Sequence, residues 1–158
     1  MPDPTLDSFD LKILDFLQAD GRLSNQELAE RIGLSAAPCW RRVKRLESLG
    51  LIDAYVALLN ATRLGLSVTA FTFVSLEQHH PDSVQEFDAA IANLPEVLEC
   101  YSLSGQHDFL LRIVATSLAS YEEFLSKFIL AISSVRSANT SFVLKTKKFT
   151  TQVPIPAS

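Results

Sequence analysis

The sequence predicts an α+β protein in two parts, a three-helix unit followed by a β-α-β-β-α-β unit. Three observations predict it. Ser24-Asn25-Gln26-Glu27 has capping-box spacing, and Leu28, Ala29 and Ile32 then form a short apolar face that Gly33 closes. The next segment, 36–48, carries Arg41, Arg42, Lys44 and Arg45 against Glu47 alone, a local excess of +3 in a chain whose 14 basic and 18 acidic residues give a net charge of −4. Beyond residue 66 the hydrophobic period changes, and runs rich in Val, Thr, Phe and Leu alternate with two amphipathic helical patterns.

The elements follow in order. Phe9, Ile13, Phe16 and Leu17 recur at i, i+4, i+7 and i+8, which predicts an amphipathic helix ended by Asp20-Gly21. Ser24 caps a second helix, with small Ala29 midway along it to let its neighbour approach. Leu34 plugs the turn after Gly33, and Ser35 caps the third helix, with Ala36, Ala37 and Pro38 in its first turn, where the missing proline N–H costs nothing. On that third helix Cys39, Val43 and Leu46 share one sector. Arg41 and Arg45 point to the other side, flanked by Lys44 and Ala37. A short helix, a glycine turn and a basic amphipathic helix make the helix-turn-helix layout, with the second helix suited to a major groove. Leu51 to Ala57 then reads as a strand or ribbon, a wing beside the nucleic acid.

A basic patch in an acidic chain points to phosphate recognition. Arg41, Arg42 and Arg45 are expected at phosphate oxygens and base edges, because guanidinium forks bond both bidentately. Lys44 is expected at a flanking phosphate. Ser35 can donate to phosphate from the helix N-terminus, and Ala36, Ala37 and Pro38 can touch thymine methyls. Trp40 either stacks on a sugar or plugs the core, and the sequence leaves both open.

The second half divides as linker and domain. Residues 59–66 lack a sustained period. Ser67–Gln78 reads as a strand apolar on both faces, which expects cover on both. Pro81-Asp82-Ser83 opens a helix carrying Val84, Phe87, Ile91 and Leu94. Glu96–Ser104 and Asp108–Thr116 read as a hairpin around Gly105. Tyr121, Phe124, Leu125, Phe128, Ile129 and Ile132 mark a second helix with Ser120 and Glu123 as its capping box, and Ser137–Thr151 is a last long strand. The order is the ferredoxin-like split unit, two helices on one face of a four-stranded antiparallel sheet. The uncovered apolar face expects a second copy, hence a dimer. The predicted organisation is 1–58, 59–66 and 67–158.

The ordered motifs resemble the Lrp/AsnC (feast/famine) transcription regulators. They are Leu6-Asp7 with Asp10-x-x-Ile13-Leu14, Gly21-Arg22-x-Ser24-Asn25-x-Glu27-Leu28, Gly33-Leu34-Ser35, Pro38-Cys39, Arg42-Val43-x-Arg45-Leu46-Glu47, Leu58-Leu59-Asn60, Glu99-Cys100 and Gly105-x-x-Asp108-Phe109-Leu110-Leu111. The likeness spans nearly the whole chain. It implies a winged helix-turn-helix domain and a RAM or ACT-like ligand-binding domain, with double-stranded DNA and an amino-acid effector as partners. It also implies dimers that assemble further into octamers, sometimes tetramers or open assemblies. The chain departs from the commoner family pattern at Ala36-Ala37, Trp40 and Arg41, so no relative's operator carries over.

Gly105-Gln106-His107-Asp108 fits either a plain turn or a site where backbone N–H groups and one carboxylate meet the two charges of a free amino acid. The resemblance favours the second reading and adds Thr140, Ser141 and Phe142 on the last strand as lining residues. Departures from the family motif at Gln106 and His107 leave the effector's identity open. His107 beside Asp108 is read either as a group that titrates near neutrality or as a turn histidine.

Several classes are set aside. Met-Pro-Asp-Pro has no basic n-region, and no apolar run approaches the ~18 residues of a membrane span, so the expected location is the cytoplasm. Cys39 and Cys100 fit buried apolar roles in a reducing compartment. His79, His80 and His107 have no metal-ligand spacing, and no P-loop or nucleophile elbow occurs. No cofactor, metal or catalytic constellation is expected. The reading is a sequence-specific DNA-binding regulator answering to a small effector. The alternatives are an architectural, nucleoid-like DNA-binding protein without effector, or an amino-acid-binding regulatory subunit of an enzyme.

Overall fold

The computed structural model describes residues 5–78 and 80–155. Met1–Pro4, His79 and residues 156–158 lie outside the described residues, and with them the N-terminal leader reading and one histidine of the supposed trio. The chain divides into two compact units, residues 1–58 with the segment from Lys148 onward, and Leu59–Lys147. The sequence assigns that last segment to the second domain; here it groups with the first.

In the first unit α1 (Ser8–Ala19), α2 (Asn25–Ile32) and α3 (Ala36–Ser48) surround one core. Asp7 caps α1, its carboxylate accepting from the N–H groups of Phe9 and Asp10 while Asp10 reciprocates to Asp7 N–H. The Ser24–Glu27 box starts α2 as the spacing predicts. Gly33 ends α2 at φ 75°, a left-handed conformation that costs a residue with a Cβ, and Leu34 N–H then reaches back to the Ala29 carbonyl. Ile13, Leu28, Ala29, Ile32, Cys39 and Leu46 form the core, with Leu34 and Val43 packed at its edge. Residues 52–60 form no strand, because among the described residues no strand pairs with them; Leu51 N–H bonds the Leu46 carbonyl, and Val56, Leu58 and Leu59 are exposed.

In the second unit the order is β1 (Val68–Leu76), α4 (Pro81–Ile91), β2 (Val97–Ser102), β3 (Phe109–Ala115), α5 (Leu118–Phe124) and β4 (Val135–Phe142). The sheet runs β2-β3-β1-β4, and every neighbouring pair is antiparallel. Ala70, Thr72, Val74 and Leu76 of β1, with Leu111 and Ile113 of β3, face the helix layer and meet Phe87, Tyr121 and Phe124. Phe71 and Phe73 point to the other face, beside Arg112 and Leu110.

Three local expectations differ from the structure. The second helix is capped by Ser117 with Ser120, one turn earlier than the Ser120–Glu123 box. It passes at Leu125 into a π-helical turn, Leu125–Ile129, and Phe128 is left half exposed. The last strand stops at Phe142, opposite Ala70 close to the start of β1 at Val68, and Val143 N–H still bonds the Thr69 carbonyl.

Candidate nucleic-acid interface and effector site

The core fixes which side of α3 faces outward. Cys39 and Leu46 are fully buried and Val43 half-buried, so Ala36, Ala37, Trp40, Arg41 and Lys44 lie in the exposed sector. Asn25 donates from Nδ2 to the Ala36 carbonyl at 2.8 Å, tying α2 to the first turn of α3. Ser35 occupies the N-cap position, yet its hydroxyl makes no cap hydrogen bond and stays open to solvent. Pro38 is half-buried at the same end.

The four cations do not behave alike. Asp10, on the stripe of α1 that otherwise carries apolar residues, is 1% exposed. Its Oδ1 accepts from Arg42 Nη1 at 2.8 Å and its Oδ2 from Arg45 Nη1 at 3.0 Å. Arg42 Nη1 also lies 2.8 Å from Asp7 Oδ2, its guanidinium sits 5.5 Å from the Phe9 ring centroid, and Arg45 Nη2 donates to the Thr5 carbonyl at 3.1 Å. The hydrogen bond from Arg42 to Asp10 is the main reason its guanidinium is held charged even more firmly than usual. The Asp7 carboxyl is held below the ordinary carboxylate range, first by the Asp10 N–H and then, against some desolvation, by Arg42. Lys44 pairs with Glu47 at 2.7 Å on the outer surface. Arg41 is the one cation of α3 without an ion-pair partner among the described residues. Thr5, Asp7, Asp10, Pro38, Arg41, Arg42 and Arg45 line one shallow, open depression.

The sequence pattern treats the arginines of α3 as one set. The structure separates Arg41, which projects, from Arg42 and Arg45, which are pinned along the α1 side with part of each guanidinium still exposed (30% and 45% of the side chains). Asp10 was missed as a site residue. Its signal was an acid three residues before Ile13 and four before Leu14, on a face otherwise apolar. Trp40, left undecided, is 54% exposed on the outward sector and does not fill the core.

In the second unit the turn between β2 and β3 holds Gly105 at φ 147°, a conformation open to glycine. Gln106 follows it in the turn. Asp108 closes the turn with three bonds: its N–H donates to the Val74 carbonyl, its carbonyl accepts from Leu103 N–H, and its Oδ2 accepts from Leu76 N–H at 2.8 Å. His107 Nδ1 lies 3.1 Å from Ser75 Oγ, and the ring rests 5.2 Å from the Phe73 ring. The carboxylate proposed to meet an ammonium therefore already orders the end of β1.

Thr140, Ser141 and Phe142 do not share a face, since strand side chains alternate. Thr140 Oγ1 joins a buried hydroxyl cluster with Thr72 Oγ1 and Tyr121 Oη. Phe142 meets the Tyr121 ring edge-on at 5.0 Å, on the same helix side. Ser141 pairs with Phe71 on the uncovered face. Along β1, Val74 aligns with Phe109 and Ala70 with Phe142. Thr140 aligns with Thr72, so along β1 the turn end lies two residues from Thr140 and four from Phe142, roughly 7 and 13 Å at about 3.3 Å per residue.

Among the described residues no helix is long and apolar enough to cross a membrane, and no three or more His, Cys, Asp and Glu side chains gather to hold a metal ion.

A capped helix pair presenting one outward face, followed in the chain by a split β-α-β unit with a polar turn, defines a helix-turn-helix protein with a second, ferredoxin-like domain. Comparison with known proteins gives the family. A winged helix-turn-helix DNA-binding model matches residues 6–53, and the Lrp/AsnC ligand binding domain model matches residues 69–153. The chain is 44% identical over 150 residues to the leucine-responsive regulatory protein of Rhizobium meliloti, covering 95% of this chain and 96% of that one. A transcriptional regulator of Neisseria meningitidis solved with L-methionine superposes with a TM-score of 0.91 at 42% identity, covering 95% and 97% of the two chains. A feast or famine regulatory protein of Mycobacterium tuberculosis, also complexed with L-methionine, gives 0.86 at 31% identity, covering 96% and 100%. The chain belongs to the Lrp/AsnC family of transcriptional regulators.

Proposed function

We propose that this chain binds double-stranded DNA in a sequence-specific way through α3, and that an amino acid modulates its assembly and DNA affinity. The observation that carries the reading is the outward sector of α3, set by the buried Cys39–Leu46 face and held in place by Asp10. In this reading Ser35, Ala36, Ala37, Pro38, Arg41 and Lys44 meet the duplex directly. Arg42 and Arg45 present only their exposed edges to it, at phosphates beside α1. DNA recognition belongs to residues 1–58, 59–66 link, and the sheet domain senses the effector and assembles. DNA as the partner supports a cytoplasmic location.

The amino-acid effector rests on the family's ligand-binding domain and on the two relatives solved with L-methionine. In this chain Gly105, Gln106, His107 and Asp108 form one half of the candidate pocket, and Thr140, Ser141 and Phe142 the other. The test is fluorescence anisotropy of a labelled duplex, selected in vitro from a random pool, titrated with the full chain with and without each of the twenty amino acids. Selected duplex should bind at least ~10³-fold more tightly than random duplex at fixed salt, and at least one amino acid should shift the curve by about 5–150-fold. Equal affinity for selected and random DNA, unmoved by any amino acid, supports the architectural alternative instead.

A further inference from the structure

Trp40 lies one residue from Arg41 and one helical turn from Ala36, Ala37 and Lys44, in the middle of the outward sector. It is 54% exposed, and among the described residues its indole stacks on no ring and lies under no cation. The core beneath it is filled by Cys39, Val43 and Leu46 without it. A large apolar side chain on a reading surface flanked by cations and by two alanines small enough to admit a groove wall needs a partner of matching chemistry.

We propose that Trp40 is a specificity-determining residue that reads thymine in the major groove. The argument rests on the DNA-binding reading above. Indole offers an apolar edge and a single N–H donor, with no acceptor. Thymine presents a C5 methyl beside the O4 acceptor. Adenine and cytosine present amino donors that indole cannot satisfy, and guanine has acceptors but no methyl. Arg41 and Lys44, on either side, supply the attraction that brings the phosphates of the same stretch into range.

Trp40 is the chain's single tryptophan, so its emission reports this residue alone. The experiment titrates the full chain with the selected duplex, following binding by the anisotropy of a dye on the DNA and Trp40 by its emission and its quenching by acrylamide. A second arm replaces each thymine of the site by deoxyuridine, which removes only the C5 methyl. The expected result is a change in indole emission with several-fold protection from acrylamide at saturation. At one or two positions deoxyuridine should weaken binding by about three- to four-fold, the worth of one buried methyl. That weakening should vanish in Trp40→Ala. Trp40→Phe, which keeps an apolar ring, should retain part of it and guards against a loss of fold in the alanine variant. Saturation of the anisotropy with emission and quenching unchanged overturns the proposal, as does a deoxyuridine effect of equal size in wild type and Trp40→Ala. No anisotropy change with any duplex overturns the DNA-binding reading itself, and this inference with it.

Discussion

Replacing Asp10 by alanine tests the claim that one buried carboxylate sets the reading helix. Asp10 is 1% exposed and accepts from Arg42, Arg45 and the Asp7 N–H, at 2.8, 3.0 and 3.2 Å. Removing one partner of a buried ion pair costs about 3–5 kcal/mol when the survivor stays buried and alone. Here the survivors rehydrate in part: the Arg42 side chain is 30% exposed and keeps Asp7, and the Arg45 side chain is 45% exposed and keeps the Thr5 carbonyl. The Arg45 pair therefore counts at the roughly 0.2–1 kcal/mol of an exposed pair. The Arg42 pair and the lost helix-start bond bring the whole to about 2–3 kcal/mol, a large share of the ~5–15 kcal/mol that holds a domain. Native-state hydrogen exchange on the full chain reads this locally, with β1 and β3 amides as the internal control. Amides of α1 and α3 should exchange about 30- to 150-fold faster, since each ~1.4 kcal/mol is tenfold. Exchange within about twofold of wild type in those helices would refute the reasoning. DNA affinity gives a second reading with opposite signs: deleting an acid makes the net charge less negative and by attraction alone strengthens binding, whereas misplacing α3 weakens it. Asp10→Asn keeps the shape and one acceptor and should fall between wild type and alanine in both measurements.

Arg41→Ala should cost about 1–3 kcal/mol of duplex affinity and lower the salt slope by about one unit, read from anisotropy titrations over a range of salt; an unchanged slope removes Arg41 from the phosphates. The Glu99 carboxyl is held below its ordinary 4.5 mainly by the hydrogen bond from Arg112, 2.5 Å away. The pair's contribution is therefore complete above about pH 4.5 and lost as pH falls through the lower folded value; urea midpoints of wild type and Glu99→Gln should converge below that window and separate above it. Cys39 is buried, but Cys100, expected to be buried too, is an exposed residue of β2; desolvation, then the Asp88 carboxylate, still push its thiol up to about 11, and burial raises Cys39, so at pH 7.5 both should react slowly with a disulfide reagent, Cys39 promptly only in denaturant, and rapid labelling of either in the native chain contradicts this.

What the sequence made legible follows from periodicity and local capping. The Ser24–Glu27 box, Gly33 and the Cys39–Val43–Leu46 sector depend on neighbours within a turn or two, and the structure has them where the pattern puts them. The fate of Arg42 and Arg45 depends on Asp10, 32 and 35 residues away. A helical wheel sees only α3 and places Arg45 opposite the core; it does not see that α1 brings a carboxylate up beside it. Trp40 was ambiguous for the same reason, because whether a core has room for an indole depends on what α1 and α2 already contribute. The end of β4 was misread because the residues after Phe142 suit a strand in composition, whereas pairing ends with the partner.

The sensing domain shows why its two groups of candidate residues were so hard to join. Strand alternation alone forbids Thr140, Ser141 and Phe142 from lining one surface, and the register places Thr140 roughly 7 Å and Phe142 roughly 13 Å along β1 from the Gly105–Asp108 turn. A free amino acid's ammonium and carboxylate lie only a few ångströms apart, so its backbone alone does not reach from the turn to Phe142 within one protomer. An amino acid whose backbone meets the turn reaches Phe142 of the same protomer only through its side chain, or else meets the Phe142 of a second copy. In the second case, whatever free energy the amino acid gains from the second copy stabilises the contact between copies. The Asp108 carboxylate, spent in part on Leu76 N–H, fits such a division, because it keeps the turn in one shape while a neighbour supplies the rest of the pocket.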